Sequence, residues 1–132
     1  MEEYYDFYLS GFTYFTVNSN SVFSSIAGEF ICYSIGTLLI EDSTFTLSNW
    51  SILHGTSLGI ATLTSVTSDS CFNQLIYLEA NEIYIDNLNI SYANYYPKYL
   101  NVEDPYLMGL VFLKALTVHL TNSIFTDNLN YN

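Results

Sequence analysis

Apolar and polar positions along this chain alternate in a pattern that is written more than once. Residues 75–94 read L I Y L E A N E I Y I D N L N I S Y A N, and residues 110–128 read L V F L K A L T V H L T N S I F T D N. They align without a gap at an offset of 35, with Leu78 on Leu113, Ile83 on Val118, Ile85 on Leu120, Asn87 on Asn122 and Ile90 on Phe125. Each unit runs apolar, any, apolar, any, Asn/Asp/Ser, any, any, apolar. Period-two alternation in segments this short and β-branched predicts strands with one buried face. The small polar residue that follows predicts a tight corner, because Asx side chains hydrogen-bond their own backbone and tolerate left-handed φ.

The same phase extends backwards, so that Val17, Ile40, Leu63, Ile85 and Leu120 recur at intervals of 23, 23, 22 and 35. A repeating chain is built from supersecondary units that stack on one another. The expected inward columns are Val17, Ile40, Leu63, Ile85 and Leu120; Phe15, Leu38, Ala61, Ile83 and Val118; and Val22, Phe45, Ser68, Ile90 and Phe125, with Ser68 the weak point. Ser19, Asp42, Ser65, Asn87 and Asn122 form the corner column. Five rungs at about 4.8 Å make a stack on the order of 25 Å tall.

The units I Y I D N L N I S Y A N and V H L T N S I F T D N resemble the rungs of right-handed parallel β-helices of the pectate-lyase-like type, over nearly the whole chain. That resemblance implies an all-β, right-handed parallel β-helix solenoid of about five rungs of 22–23 residues, with inward aliphatics and an asparagine ladder at one corner. A leucine-rich repeat shares the period, but its L x x L x L spacing fits only parts of the chain. The expected organisation is one domain over 1–132, part of a larger chain. Residues 1–6 would be an N-terminal cap through Tyr4 and Tyr5, and 95–109 an inserted loop.

Composition narrows the partners. The net charge is −11, with Lys98 and Lys114 the only Lys or Arg. Phosphate backbones and anionic membrane surfaces are bound through cations, so nucleic acid is not an expected partner. No apolar run approaches the roughly 18–20 residues that span a bilayer, and the start lacks the basic flank and apolar stretch of a secretory signal. Sequons at Asn49 and Asn89, on a Ser-, Thr-, Asn- and Tyr-rich background, point to an extracellular or cell-surface setting as a piece of a longer processed chain; a cytoplasmic setting stays open. Cys32 and Cys71 occupy different positions of their rungs, so two buried free thiols are expected rather than a bridge.

The inserted loop gathers Tyr95, Tyr96, Tyr99 and Tyr106 beside Pro97, Pro105, Glu103 and Asp104. Loops leaving a solenoid carry its binding function, and tyrosine offers a flat apolar ring with a polar tip. The loop is therefore either a contact surface for a protein or carbohydrate, or a cover laid over the adjacent coil. Chemistry is harder to place. The β-helix lyases pair calcium-binding aspartates with a basic residue, and neither Lys98 nor Lys114 has an acidic cluster in register. Glu41 and Asp86 share an outward column two rungs apart, about 9–10 Å from rung spacing, at the limit for an inverting carboxylate pair. His54 and His119 share no column. No catalytic residue, cofactor or metal ligand is assigned. The expectation is a non-enzymatic structural or adhesion module. The alternatives are a subunit of an end-to-end filament or oligomer and a polysaccharide lyase or hydrolase remnant.

Overall fold

The computed structural model describes residues 7–18, 20–24, 30–46, 53–71, 76–95 and 111–130. These form twelve strands and no helix. The chain makes five passes: β1 (Phe7–Ser10), β2 (Tyr14–Val17) and β3 (Val22–Ser24); β4 (Phe30–Tyr33) and β5 (Thr37–Thr46); β6 (Leu53–Asp69); β7 (Ile76–Ser91) and β8 (Asn94–Tyr95); then β9 (Val111–Lys114), β10 (Thr117–Thr121), β11 (Ile124–Thr126) and β12 (Leu129–Asn130). Every strand pairing is parallel, and each pass lies beside the next. The main sheet is open and curls as a half-barrel. The segments that join successive passes, 25–29, 47–52, 72–75 and 96–110, lie outside the described residues, as do the proposed cap and all of the inserted loop but Tyr95.

Register follows the repeat. Leu38 pairs with Ala61 and Ile40 with Leu63, Ala61 pairs with Ile83 and Leu63 with Ile85, and Val118 and Leu120 pair with Ile83 and Ile85. In the three middle passes these residues are buried to 2% exposure or less. Parallel sheets need their apolar face covered, and here the cover for each side chain is the same position one pass away. In the last described pass, which pairs among the described residues with the fourth alone, Val118, Leu120 and Phe125 stand 42–46% exposed although they belong to the same columns.

The expected corner column is made of left-handed residues: Asp42, Ser65, Asn87 and Asn122 have φ of 46°, 52°, 56° and 50°. L-residues enter this region at a cost that short polar side chains reduce by bonding locally. Ser19 lies outside the described residues; its neighbour Asn20 has φ 61°. The first pass carries one extra residue before its third strand, so Phe23, not Val22, pairs with Phe45. The two rings stack with centroids 4.8 Å apart, while Val22 faces out. The residue after each corner, expected to be indifferent, also turns inward: Ser43, Val66 and Leu88 are buried. Ser43 fits there because its hydroxyl donates to the Glu41 carbonyl (2.8 Å). Ser68 is less well served, fully buried between Phe45 and Ile90 with its Oγ unpartnered.

A second left-handed corner, at Gly11, Ser34 and Ser57, precedes β2 and β5 and falls inside β6 in the first three passes. Just after it the backbones crowd. Gly59 N–H donates to the Ile35 carbonyl and Ile60 N–H to the Gly36 carbonyl, and a Cβ on Gly59 would lie 2.3 Å from the Gly36 oxygen. Between the third and fourth passes this corner ends in a bulge: Gly55 pairs with Leu78, but Leu58 pairs with Ala80. That one-residue shift is why the repeat shortens from 23 to 22.

Candidate interaction surface

With the inward positions committed to packing, any function rests on the outward columns, the corners and the ends. One column on the face opposite the inward aliphatics runs along the start of each pass, where Tyr8, Ile31, His54, Tyr77 and Phe112 share one register position. Tyr77 stacks on Phe112 (4.8 Å, 6°) and packs against His54 (4.8 Å, 56°). The Tyr77 hydroxyl donates to the Glu79 carboxylate, whose same oxygen lies 3.6 Å from Lys114 Nζ. Tyr77 itself is buried, whereas Lys114 is 68% exposed, so the ion pair adds little stability. Sequence reading missed this ladder. Its signal was the recurrence of large flat side chains at 54, 77 and 112, masked by attention to the inward phase.

Beside Lys114 and Glu79 an open cleft of about 430 Å³ is lined by Ser57, Leu58, Asn81 and Leu116. It sits at the bulge between the Gly55–Leu78 and Leu58–Ala80 pairs, where the second corner ends.

The second outward feature surrounds the Asn corner. Asp86 accepts hydrogen bonds from Thr121 Oγ1 (2.7 Å) and Asn122 Nδ2 (2.8 Å), and these donors hold its carboxyl below the usual carboxylate range. Asn87 Nδ2 donates to Ser65 Oγ (3.2 Å). Four residues beyond that corner Ser91 Oγ donates to Asp69 (3.1 Å). Asn128 bridges the last two passes, accepting from Ala93 N–H and donating to the Ile90 carbonyl. The polar side chains here thus tie one pass to the next. Glu41 and Asp86 do share an outward column, with Thr64 between them. His54 and His119 lie in different columns; His119 stacks on Tyr84 (5.1 Å, 4°), whose hydroxyl is raised in pKa chiefly by donating to Glu82.

Of the expected loop residues, Tyr95 is the last residue of β8, which pairs in parallel with β12; Tyr96, Tyr99 and Tyr106 lie outside the described residues, as does Asn49. Asn89 lies on an outward position of β7, half-buried, its amide donating to Asn87 Oδ1 (3.3 Å). Among the described residues no group of three or more His, Cys, Asp or Glu is placed to hold a metal ion, and no helix is long and apolar enough to cross a membrane.

Both cysteines are buried and free. Cys32 sits in the column of Leu9 and Gly55, and burial pushes its thiol up to about 12. The thiolate is the reactive form, so Cys32 is expected to resist an aromatic disulfide reagent at pH 8 in the folded protein and to react at once in denaturant. Rapid labelling of Cys32 in the native state, located by mass spectrometry, would contradict this burial.

Comparison with protein-family models, with curated proteins and with solved structures finds no match.

Proposed function

We propose that this chain is a non-enzymatic structural or adhesion module, a segment of a right-handed parallel β-helix in a cell-surface or extracellular protein, which presents its inserted loop to a protein or carbohydrate surface. The observation that carries the reading is the division of labour between faces. Inward positions stack like on like across the middle passes, and the outward Asp, Asn, Ser and Thr side chains around the Asn corner bond to the next pass. The sequons at Asn49 and Asn89 support the extracellular setting. The tyrosine-rich sequence of residues 95–109, Tyr95, Tyr96, Tyr99 and Tyr106, breaks the repeat and supports its reading as the contact segment.

The test is binding by the intact chain to immobilised polysaccharides and extracellular-matrix proteins. Substituting Tyr95, Tyr96 and Tyr99 together by Ser is expected to weaken binding at least about tenfold, the loss of well over 1 kcal/mol usual for contact aromatics, with the melting temperature unchanged. A collapse of the melting temperature would make the rings core cover instead. Turnover of a polysaccharide that is abolished by Lys98→Ala or Lys114→Ala would replace the module reading with the lyase one.

A further inference from the structure

We infer that the cleft beside Lys114 and Glu79 is a binding site for a neutral saccharide. The inference goes beyond the module reading above and sets the site apart from the inserted loop.

The cleft exists because one column of packed side chains loses its volume. Ile35 and Leu58 occupy the same point of the second and third passes, since Thr37 pairs with Ile60 two residues further on, and both are buried, at 1% and 3% exposure. Across the bulge Leu58 pairs with Ala80, and the 35-residue offset of the repeat sets Ala115 after Ala80. Both alanines are only partly buried against the core. Where two large aliphatics give way to two methyl groups, an open space of about 430 Å³ remains, within the roughly 300–1,000 Å³ usual for small-ligand sites. Protein interiors ordinarily fill such a gap. Here the backbone around it stays paired: Glu79 is in register with Lys114, and Leu116 N–H donates to the Asn81 carbonyl (3.1 Å).

The polar groups that line the cleft are unspent. Around the Asn corner, Asp86, Asn87 and Ser91 use their side chains to tie one pass to the next. Ser57 Oγ and the Asn81 carboxamide, by contrast, make no hydrogen bond among the described residues. Glu79 directs one oxygen, Oε1, at both Tyr77 and Lys114, which leaves Oε2 and two of the Lys114 donors for a ligand. An acceptor, a donor and two groups that do both thus face the same space, with Ala80, Ala115 and Leu116 as apolar surface between them.

That set selects the ligand. A sugar hydroxyl both donates and accepts, and a sugar ring offers apolar C–H faces besides. Within the cleft the charges of Glu79 and Lys114 cancel, while the chain as a whole carries −11. An anionic ligand would approach against that field, and a cation would meet Lys114. A neutral oligosaccharide meets neither obstacle.

Isothermal titration calorimetry of the intact chain with neutral hexose and pentose oligosaccharides, and with oligogalacturonates as the anionic comparison, tests this. The expected result is saturable binding of a neutral oligosaccharide, with oligogalacturonates at least about tenfold weaker. Ala80→Leu returns to the column the volume it lost, and is expected to abolish binding while the unfolding midpoint holds or rises. Asn81→Leu, at an exposed position, is expected to weaken binding at least about threefold through lost hydrogen bonds with stability unchanged. Folded wild-type protein that binds no neutral oligosaccharide, or that prefers oligogalacturonates, would overturn the inference and leave the loop's binding to matrix proteins standing. Saccharide binding that survives both variants but is lost on substituting Tyr95, Tyr96 and Tyr99 would also overturn it, and would uphold the module reading.

Discussion

Gly59→Ala is expected to be the most damaging single-methyl change in this protein, lowering unfolding free energy by about 3 kcal/mol, the upper end of overpacking costs. The new Cβ would lie 2.3 Å from the Gly36 carbonyl oxygen, and that oxygen cannot retreat, because it accepts the Ile60 N–H at 2.9 Å. Relief requires prising apart two adjacent passes at a point where their backbones bond. Gly11→Ala is the contrast. Its φ of 76° is left-handed but nothing lies within 4 Å of a Cβ there, so only the conformational cost applies, about 1 kcal/mol. Urea unfolding followed by circular dichroism measures both; equal losses would show that strain at left-handed corners, not close approach of passes, dominates.

Leu63→Ala should cost about 3–4 kcal/mol, within the range for truncating a buried leucine, while Leu120→Ala in the same column should cost the monomer about 1 kcal/mol or less in proportion to its partial burial. Leu63 is 1% exposed, held between Ile40 and Ile85. Among the described residues Leu120 pairs with Ile85 alone, and it is 46% exposed. Side-chain chemistry is the same at both sites, so the difference isolates what a neighbouring pass contributes. Denaturant midpoints of the two variants provide the comparison, and similar losses would mean that burial does not follow position in the stack.

Much of this architecture was legible because the buried face repeats with simple arithmetic. Ile40, Leu63 and Ile85 identify one another by spacing, and Asp42, Ser65, Asn87 and Asn122 mark corners because few other residues tolerate left-handed φ. The phase slipped at Val22, where a single inserted residue exchanges inward and outward faces and two apolar neighbours, Val22 and Phe23, fit either way. The inward column at Ser43, Val66 and Leu88 was invisible for a different reason. It follows a corner, where strict alternation fails, and Ser43 reads as polar until its bond to the Glu41 carbonyl is seen. The outward ladder through His54, Tyr77 and Phe112 mixes residue types that share flatness rather than hydrophobicity, so no apolar pattern reveals it. Closure into a β-helix depends on segments between the passes whose sequences do not repeat, and the sheet that is described is open.

Parallel, in-register stacking of the passes underlies every column of this chain, and methyl-resolved nuclear Overhauser spectroscopy in solution tests it most directly. It predicts contacts joining Leu38 to Ala61 and Ala61 to Ile83, Ile40 to Leu63 and Leu63 to Ile85, and Ile83 to Val118 across the long insertion. Contacts that instead connect Ala61 or Leu63 to residues at any other spacing, or close Hα–Hα pairs of the antiparallel kind between β5, β6 and β7, would contradict it.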